Sequence, residues 1–318
     1  MEKLAFIFPG QGSQYIGMGQ ALAREYSVVR RTFEEAGDLL GYDLAKICFE
    51  GSYSDMSDSS IVQPALLTTS ISAYRVYMQE IGIQPDYTAG HSLGEYAALT
   101  VSGAITFKDT LQLVHRRGEL TQRHIESGIG RMTIVDGVAL EKVELECSSA
   151  DPSGSRVSVS CLNAPEQTAL SGENQTMDLV EMSLRNMGAT ITPLFRSAPF
   201  HHPLMAGVSE QFAESLQSIH FSRLRWPVIS NVTGQPYSDE ETAADLLKRQ
   251  ITHPVRWVDT MSFLSGQNIS LTVEFGPKTV LSSLVKANIP SGITSFGFDT
   301  ASDRQALHQY LSLQNSFI

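Results

Sequence analysis

The sequence predicts an α/β protein: a large hydrolase-like domain on a parallel sheet, carrying an inserted small ferredoxin-like subdomain. Three observations carry this. The chain opens on a fully apolar strand, "LAFIF" (Leu4–Phe8), that runs through the glycine-rich "PGQGSQYIGMG" into a helical pattern. The same strand-to-helix change recurs at "DYTAG" (Asp86–Gly90) and "LGEYAALTVSG". Between residues 128 and 197 the pattern becomes β-α-β-β-α-β, the order of a ferredoxin-like unit. The expected division is therefore a large domain of residues 1–127 and 198–318, with 128–197 inserted.

Each element follows from its local pattern. "QALAREYSVVRRTFEEAGDLL" reads as the first helix, and "VQPALLTTSISAYRVYMQEIG" as a buried helix ending at Gly82. After the second strand, Gly103 closes its helix, and "FKDTLQLVHRRGELTQRHI" is amphipathic with a helical period. In the insertion, "GRMTIVDGV", "RVSVSCLN", "EQTALSG" and "ATITPLF" alternate as strands, with "ALEKVELECSS" and "NQTMDLVEMSLRNMG" as helices. Beyond the loop "RSAPFHHPLM" come a helix to about residue 219, a strand in "WPVISNVTG", helices through Leu264, and "LTVEFGP" as the last strand.

Bulk properties narrow the function. The 318 residues carry a formal charge of −11, with no basic stripe interleaved with aromatics, so nucleic acid is not an expected partner. No run is long and apolar enough for a membrane span, and the first residues are too short an apolar run for a signal peptide. Cys48, Cys147 and Cys161 are scattered, lack metal-ligand spacing and fit reduced thiols of a cytoplasmic protein. The Asn-x-Ser/Thr triplets beginning at Asn174, Asn231 and Asn268 then read as chance matches.

"GHSLG" places Ser92 between glycines where a strand meets a helix, the setting of a nucleophile elbow. The helix starting at Leu93 turns its positive dipole end toward the serine, and the Leu93 N–H can serve an oxyanion. Such a serine needs a base. His91 is too close along the turn to reach its neighbour's hydroxyl and reads instead as part of the substrate cleft. The pair His201 and His202, in a junction loop, is the better source, and spacing does not choose between them. Gln11 follows the first strand at its carboxyl end, where α/β ligand sites form, although Tyr15 breaks any dinucleotide fingerprint. Arg117 lies beside apolar Leu113 and Val114; turned inward, its guanidinium would require an anion and would suit a carboxylate, and turned outward it is an ordinary surface residue. An ordinary α/β-hydrolase is disfavoured, since its histidine follows a late acid near the C-terminus, and here residues 203–318 follow the pair.

Taken together, "PGQGSQ", "QPAL", "GHSLGEYAAL", "RRGEL", "NAP", "APFH" and "THPVRW" resemble, in order and spacing, the malonyl-CoA:acyl carrier protein acyltransferases, over nearly the whole chain. The pattern is also similar to free-standing, trans-acting acyltransferases that load polyketide synthases. The resemblance implies that Ser92 is acylated and that His201 is the base, with the Gln250 backbone carbonyl orienting it in place of a triad acid. It assigns oxyanion-hole N–H groups to Gln11 and Leu93, the malonyl-carboxylate clamp to Arg117, and cleft positions to Gln63 and Asn163. Phe200 resembles the malonyl-selective form. The implied partners are malonyl-CoA and an acyl carrier protein bearing phosphopantetheine, with no metal or other cofactor.

Three positions depart from the family pattern: Thr121 stands where methionine is common, Arg131 where a small residue is usual, and "EFGPKTVL" lacks a second glycine. Arg131 is expected to be a solvated strand-edge residue rather than a contact to a coenzyme A phosphate. Two competitors use the same scaffold: a hydrolase that clears acyl groups from carrier proteins, in which loss of the clamp arginine is expected, and a non-catalytic docking module, in which the serine or histidine would be missing.

Overall fold

The strand β1 (Lys3–Phe8) is apolar from Leu4 to Phe8, all buried, because it occupies the centre of a sheet covered on both faces. In this computed structural model, which describes residues 2–239 and 242–315, the glycine-rich loop after β1 leads to α1 (Gln20–Glu25) and α2 (Ser27–Leu40). The expected single helix is broken at Tyr26, whose extended backbone (φ −117°, ψ 123°) ends one helix and caps the next. A further helix, α3 (Leu44–Glu50), lies outside the sequence expectation; Asp43 starts it by accepting the Lys46 N–H at 2.8 Å.

The buried helix α4 (Ser59–Glu80) begins at its Asp58 cap and ends just before Gly82, which has φ 72°. Then come β2 (Tyr87–Gly90), α5 (Gly94–Val101) and α6 (Phe107–Ser127). Gly118 lets α6 pass close to α4: a Cβ there would lie 2.3 Å from the Ser59 carbonyl oxygen.

The next segment is β3 (Arg131–Asp136), α7 (Leu140–Ala150), β4 (Val157–Ala164), β5 (Gln167–Gly172), α8 (Asn174–Asn186) and β6 (Thr190–Pro193). Its antiparallel sheet has the order β4-β5-β3-β6, the expected ferredoxin-like arrangement. The two faces of this sheet bury into different cores. Val157, Val159 and Leu170 pack with Val143, Met177 and Leu184 beneath α7 and α8. Cys161, Ala164 and Ala169 join the large core instead. Backbone bonds also tie this edge to the rest: Val255 donates to Ser160, and Leu162 donates to Val255, both at 2.9 Å.

The chain continues through α9 (Ala206–Leu216), β7 (Val228–Ile229), α10 (Thr242–Gln250), α11 (Trp257–Gly266), β8 (Ile269–Glu274), α12 (Val280–Asn288), β9 (Thr294–Gly297) and α13 (Ala301–Asn315). The large sheet is parallel, in the order β7-β2-β1-β8-β9. Two expectations are corrected here. "LTVEFGP" is not the last strand: β9 is a short, partly exposed edge too weakly apolar to read from sequence. The strand expected in "WPVISNVTG" reduces to two residues, and its remainder forms a turn that serves the site. No helix among the described residues is long and apolar enough to cross a membrane.

Candidate active site

Ser92 sits between β2 and α5 with φ 51°, a left-handed conformation that a serine adopts only under constraint. The constraint is close backbone packing on both sides. A Cβ on Gly90 would meet the Gly94 carbonyl carbon at 2.0 Å, and one on Gly94 would meet the Phe8 carbonyl oxygen at 1.9 Å. Asn231 completes the support: its Oδ1 accepts the Ser92 N–H and its Nδ2 donates to the Gly90 carbonyl, both at 2.6 Å.

The Ser92 Oγ lies 2.8 Å from His201 Nε2. His201 itself has φ 58°, and its Nδ1 is 2.7 Å from the Gln250 backbone carbonyl. A carbonyl oxygen only accepts, so the imidazole proton belongs on Nδ1 and the Nε2 lone pair faces the serine hydroxyl. Burial, reinforced by the nearby Arg117 cation, lowers the His201 pKa to about 3 and keeps the ring neutral. His202 is different. It is wholly buried, accepts the Leu204 N–H through Nδ1, and caps a short turn, which makes it a structural residue.

The loop after β1 lies against the elbow. A Cβ on Gly10 would sit 2.4 Å from the His91 carbonyl oxygen and 3.6 Å from the Leu93 nitrogen, which brings Gln11 alongside Leu93. The backbone N–H groups of Gln11 and Leu93 have no acceptor among the described residues. They are therefore available beside the serine as a pair of donors.

Arg117 is turned fully inward, with 1% of its surface exposed. Its Nη1 donates to Gln63 Oε1 at 2.8 Å, and its Nη2 reaches Ser92 Oγ at 3.3 Å and Gln250 Oε1 at 3.5 Å. The guanidinium carbon lies 5.6 Å from the Tyr96 ring centroid and 5.7 Å from that of Phe200. Every direct partner is a neutral oxygen, and Nε is buried without one. Gln63 is completely buried behind the guanidinium and does not line the cleft; it holds the arginine instead. Thr121, on the next turn, donates to the Arg117 carbonyl at 2.8 Å.

These groups open into a cavity of about 470 Å³ between the two sheets, lined among others by Gln11, His91, Ser92, Arg117, Phe200 and His201. Asn163 also lines it, with its Oδ1 2.9 Å from His91 Nε2, so the two side chains hold each other. His91 packs against Trp257, and burial lowers its pKa. A shallower hollow of about 690 Å³ on the other side of residues 194–197 contains neither Ser92 nor His201. Arg131 borders it, and the expectation of a solvated strand-edge residue is corrected. β3 is an inner strand, and Arg131 is pinned by Asp178 at 2.7 Å and by buried Glu181 at 3.0 Å.

Sequence reasoning missed the frame beneath the site. Glu95 is buried on α5 and accepts from Tyr237 Oη at 2.5 Å, from the Asn231 N–H at 3.2 Å and from Gln250 Nε2 at 2.6 Å. Gln250 Nε2 also donates to the Ser92 carbonyl at 2.9 Å. An acid directly after the elbow glycine, on an otherwise apolar helix, was the available signal for Glu95. Asn231 and Tyr237 had none, since they lie far away in sequence.

Comparison with known proteins places this arrangement. The acyl transferase domain family matches residues 5–296. A malonyl CoA-acyl carrier protein transacylase of Bacillus subtilis is 39% identical over 307 residues, which cover 96% of this chain and 76% of that protein. The Escherichia coli K12 protein of the same name is 36% identical, with 90% of this chain and 93% of that protein covered. Among solved structures, FabD from Acinetobacter baumannii superposes with a TM-score of 0.92 at 37% identity, covering 98% of this chain and 99% of that one. A malonyl-transacylase in complex with its type II polyketide acyl-carrier protein gives 0.92 at 36% identity, covering 96% and 99%.

Proposed function

The chain belongs to the acyl transferase domain family, and on that premise we propose that it moves a malonyl group from malonyl-CoA to the phosphopantetheine thiol of an acyl carrier protein. The observation that carries the malonyl assignment is the position of Arg117. A buried cation with no carboxylate partner points at the oxygen that would become acylated, 3.3 Å away. Such a cation favours an acyl group that brings its own negative charge one methylene from the thioester carbonyl.

The reaction proceeds in two halves. Ser92 Oγ attacks the thioester carbonyl as His201 Nε2 takes its proton, and the Gln11 and Leu93 N–H groups receive the developing oxyanion. The tetrahedral intermediate collapses, the C–S bond breaks, and coenzyme A leaves as the thiol, its sulfur taking the proton from His201 Nε2, which is again free to act as a base. The carrier's thiol then enters, gives its proton to His201 and attacks the malonyl-serine ester. Collapse of that second intermediate returns the proton to Ser92 Oγ and leaves the malonyl thioester on the carrier. The Gln250 carbonyl keeps the His201 ring oriented through both halves, and Phe200 narrows the space beside the acyl α-carbon. No step calls for a metal or redox group. Residues 128–197 act as an inserted subdomain that forms one wall of the cleft, a division supported by their own small core. Three buried free thiols suit a cytoplasmic setting.

The test is transfer itself: malonyl-CoA, the enzyme and a holo carrier protein are mixed, and the carrier's intact mass is followed. Gain of one malonyl group, dependent on Ser92, is expected. No gain with any holo carrier, fatty-acid or polyketide type, would overturn the proposal.

A further inference from the structure

We propose that Glu95 is the internal counter-charge of Arg117, relayed through the side-chain amide of Gln250, and that it tunes the site's preference for a carboxylated acyl group. The inference rests on the clamp role proposed for Arg117 and extends it to a residue with no assigned role. The Gln250 amide lies between the two charges: its oxygen faces Arg117 Nη2 at 3.5 Å, and its nitrogen donates to Glu95 Oε2 at 2.6 Å. Tyr237, Asn231 and Gln250 all donate to Glu95, so the geometry suits the ionised carboxylate. A direct ion pair would occupy the guanidinium fork. An amide spacer offsets the charge without tying the guanidinium to a carboxylate, and Nε keeps no partner within the protein.

The consequence for specificity has a definite sign. With Glu95 ionised, the empty pocket is close to neutral, and a malonyl carboxylate adds a second buried negative charge. With Glu95 neutral, the malonyl carboxylate becomes the only counter-charge for Arg117 and is bound more strongly. Facing Glu95 are Tyr96 on its own helix, Arg117 on α6 and Tyr237 beyond β7, with His201 suspended from the Gln250 carbonyl. Both tyrosines are pushed well above neutrality and His201 down to about 3, so none of them changes charge near pH 7. Burial raises Glu95 to about 7 despite its donors, which leaves it the member of this cluster that titrates there.

The experiment measures the ratio of Ser92 malonylation to acetylation in equimolar malonyl-CoA and acetyl-CoA, across pH 5.5–8.5. Changes in His201 act on both donors and cancel in the ratio. In the wild type the ratio should rise as pH falls through about 7, by roughly tenfold for unit charges held in a medium of effective dielectric near 20. Glu95→Gln should show the raised ratio at every pH. Tyr237→Phe, which deletes one donor to the carboxylate, should move the midpoint to higher pH and serves if Glu95→Gln does not fold. A purely structural Glu95 would lower both rates together and leave the ratio untouched. A flat wild-type ratio, a Glu95→Gln variant that keeps the wild-type slope, or an unmoved midpoint in Tyr237→Phe overturns the relay. Arg117→Ala separates the two readings. If it loses malonyl preference while the wild-type ratio stays flat, the clamp stands and the relay falls; if it keeps that preference, the clamp itself falls.

Discussion

Replacing Arg117 with alanine removes the group on which the substrate assignment rests, and its effect can be worked from the geometry. The guanidinium spends Nη1 on Gln63, while Nη2 makes only long contacts and Nε, although buried, makes none, so two of its three nitrogens keep donors not spent within the protein. Two charge-assisted hydrogen bonds are worth about 1.5–3 kcal/mol each, and desolvating the incoming carboxylate offsets about half of that. A net loss of about 2 kcal/mol corresponds to about a thirtyfold drop in malonylation relative to acetylation, because an acetyl group makes neither bond. The assay is a competition: equimolar malonyl-CoA and acetyl-CoA, with the initial acyl-enzyme populations read by intact-mass spectrometry. Both products come from one sample, so any misfolded fraction created when the buried Gln63 loses its partner cancels. A ratio within about threefold of wild type, less than one such hydrogen bond is worth, would refute the clamp.

Other perturbations probe the rest of the site. Gly10→Ala forces a Cβ to within 2.4 Å of the His91 carbonyl and pushes Gln11 off the elbow; stopped-flow release of coenzyme A should slow by roughly 10²–10³-fold, the size of one lost oxyanion donor. An unchanged rate would remove Gln11 from the oxyanion hole. Phe200→Ser opens space beside the acyl α-carbon and removes a ring stacked on Arg117; methylmalonyl loading should gain on malonyl by about tenfold, as expected of one methyl group in a pocket, and an unaltered ratio would free Phe200 of any selective role. Stability should also depend on pH. Burial holds the Glu95 and Glu274 carboxyls at about 7 in the folded chain, above their ordinary value of 4.5. Their contribution is present below the unfolded value and is lost as pH rises through about 7, up to about 3 kcal/mol per carboxyl. Calorimetry between pH 5.5 and 8.5 should show Tm falling from pH 5.5 to about 7 and levelling above it; a Tm that rises over the lower part of that range would place the ionised carboxylates in better surroundings than burial allows.

Legibility in the sequence divides along a physical line. The elbow at Ser92 and the β-α-β-β-α-β insertion are local patterns, carried by glycine placement and strand alternation, whereas helical period sets Arg117 beside apolar neighbours without deciding which way it turns. The choice of His201 over His202 is not local. Both sit in one loop, and only the position of the Gln250 carbonyl separates the base from the buried turn-capping ring. Asn231 shows the limit most clearly. In sequence it heads a chance glycosylation triplet, and in the fold it is 1% exposed and holds the elbow from 139 residues away. Glu95 and Tyr237 are joined over a similar separation. Arg131 departs from its expected setting because its strand's place inside the sheet depends on which strands flank it, and pairing order is a property of the whole subdomain.

The most direct test is to incubate the wild-type enzyme with malonyl-CoA, locate the adduct by peptide mapping, and then add holo carrier protein. A malonyl group on Ser92 that passes to the carrier's phosphopantetheine faster than it is released as free malonate is the expected result, with no adduct in Ser92→Ala. An adduct that forms on Ser92→Ala, or one discharged to water at the same rate with and without the carrier, would contradict a relay between two thiols.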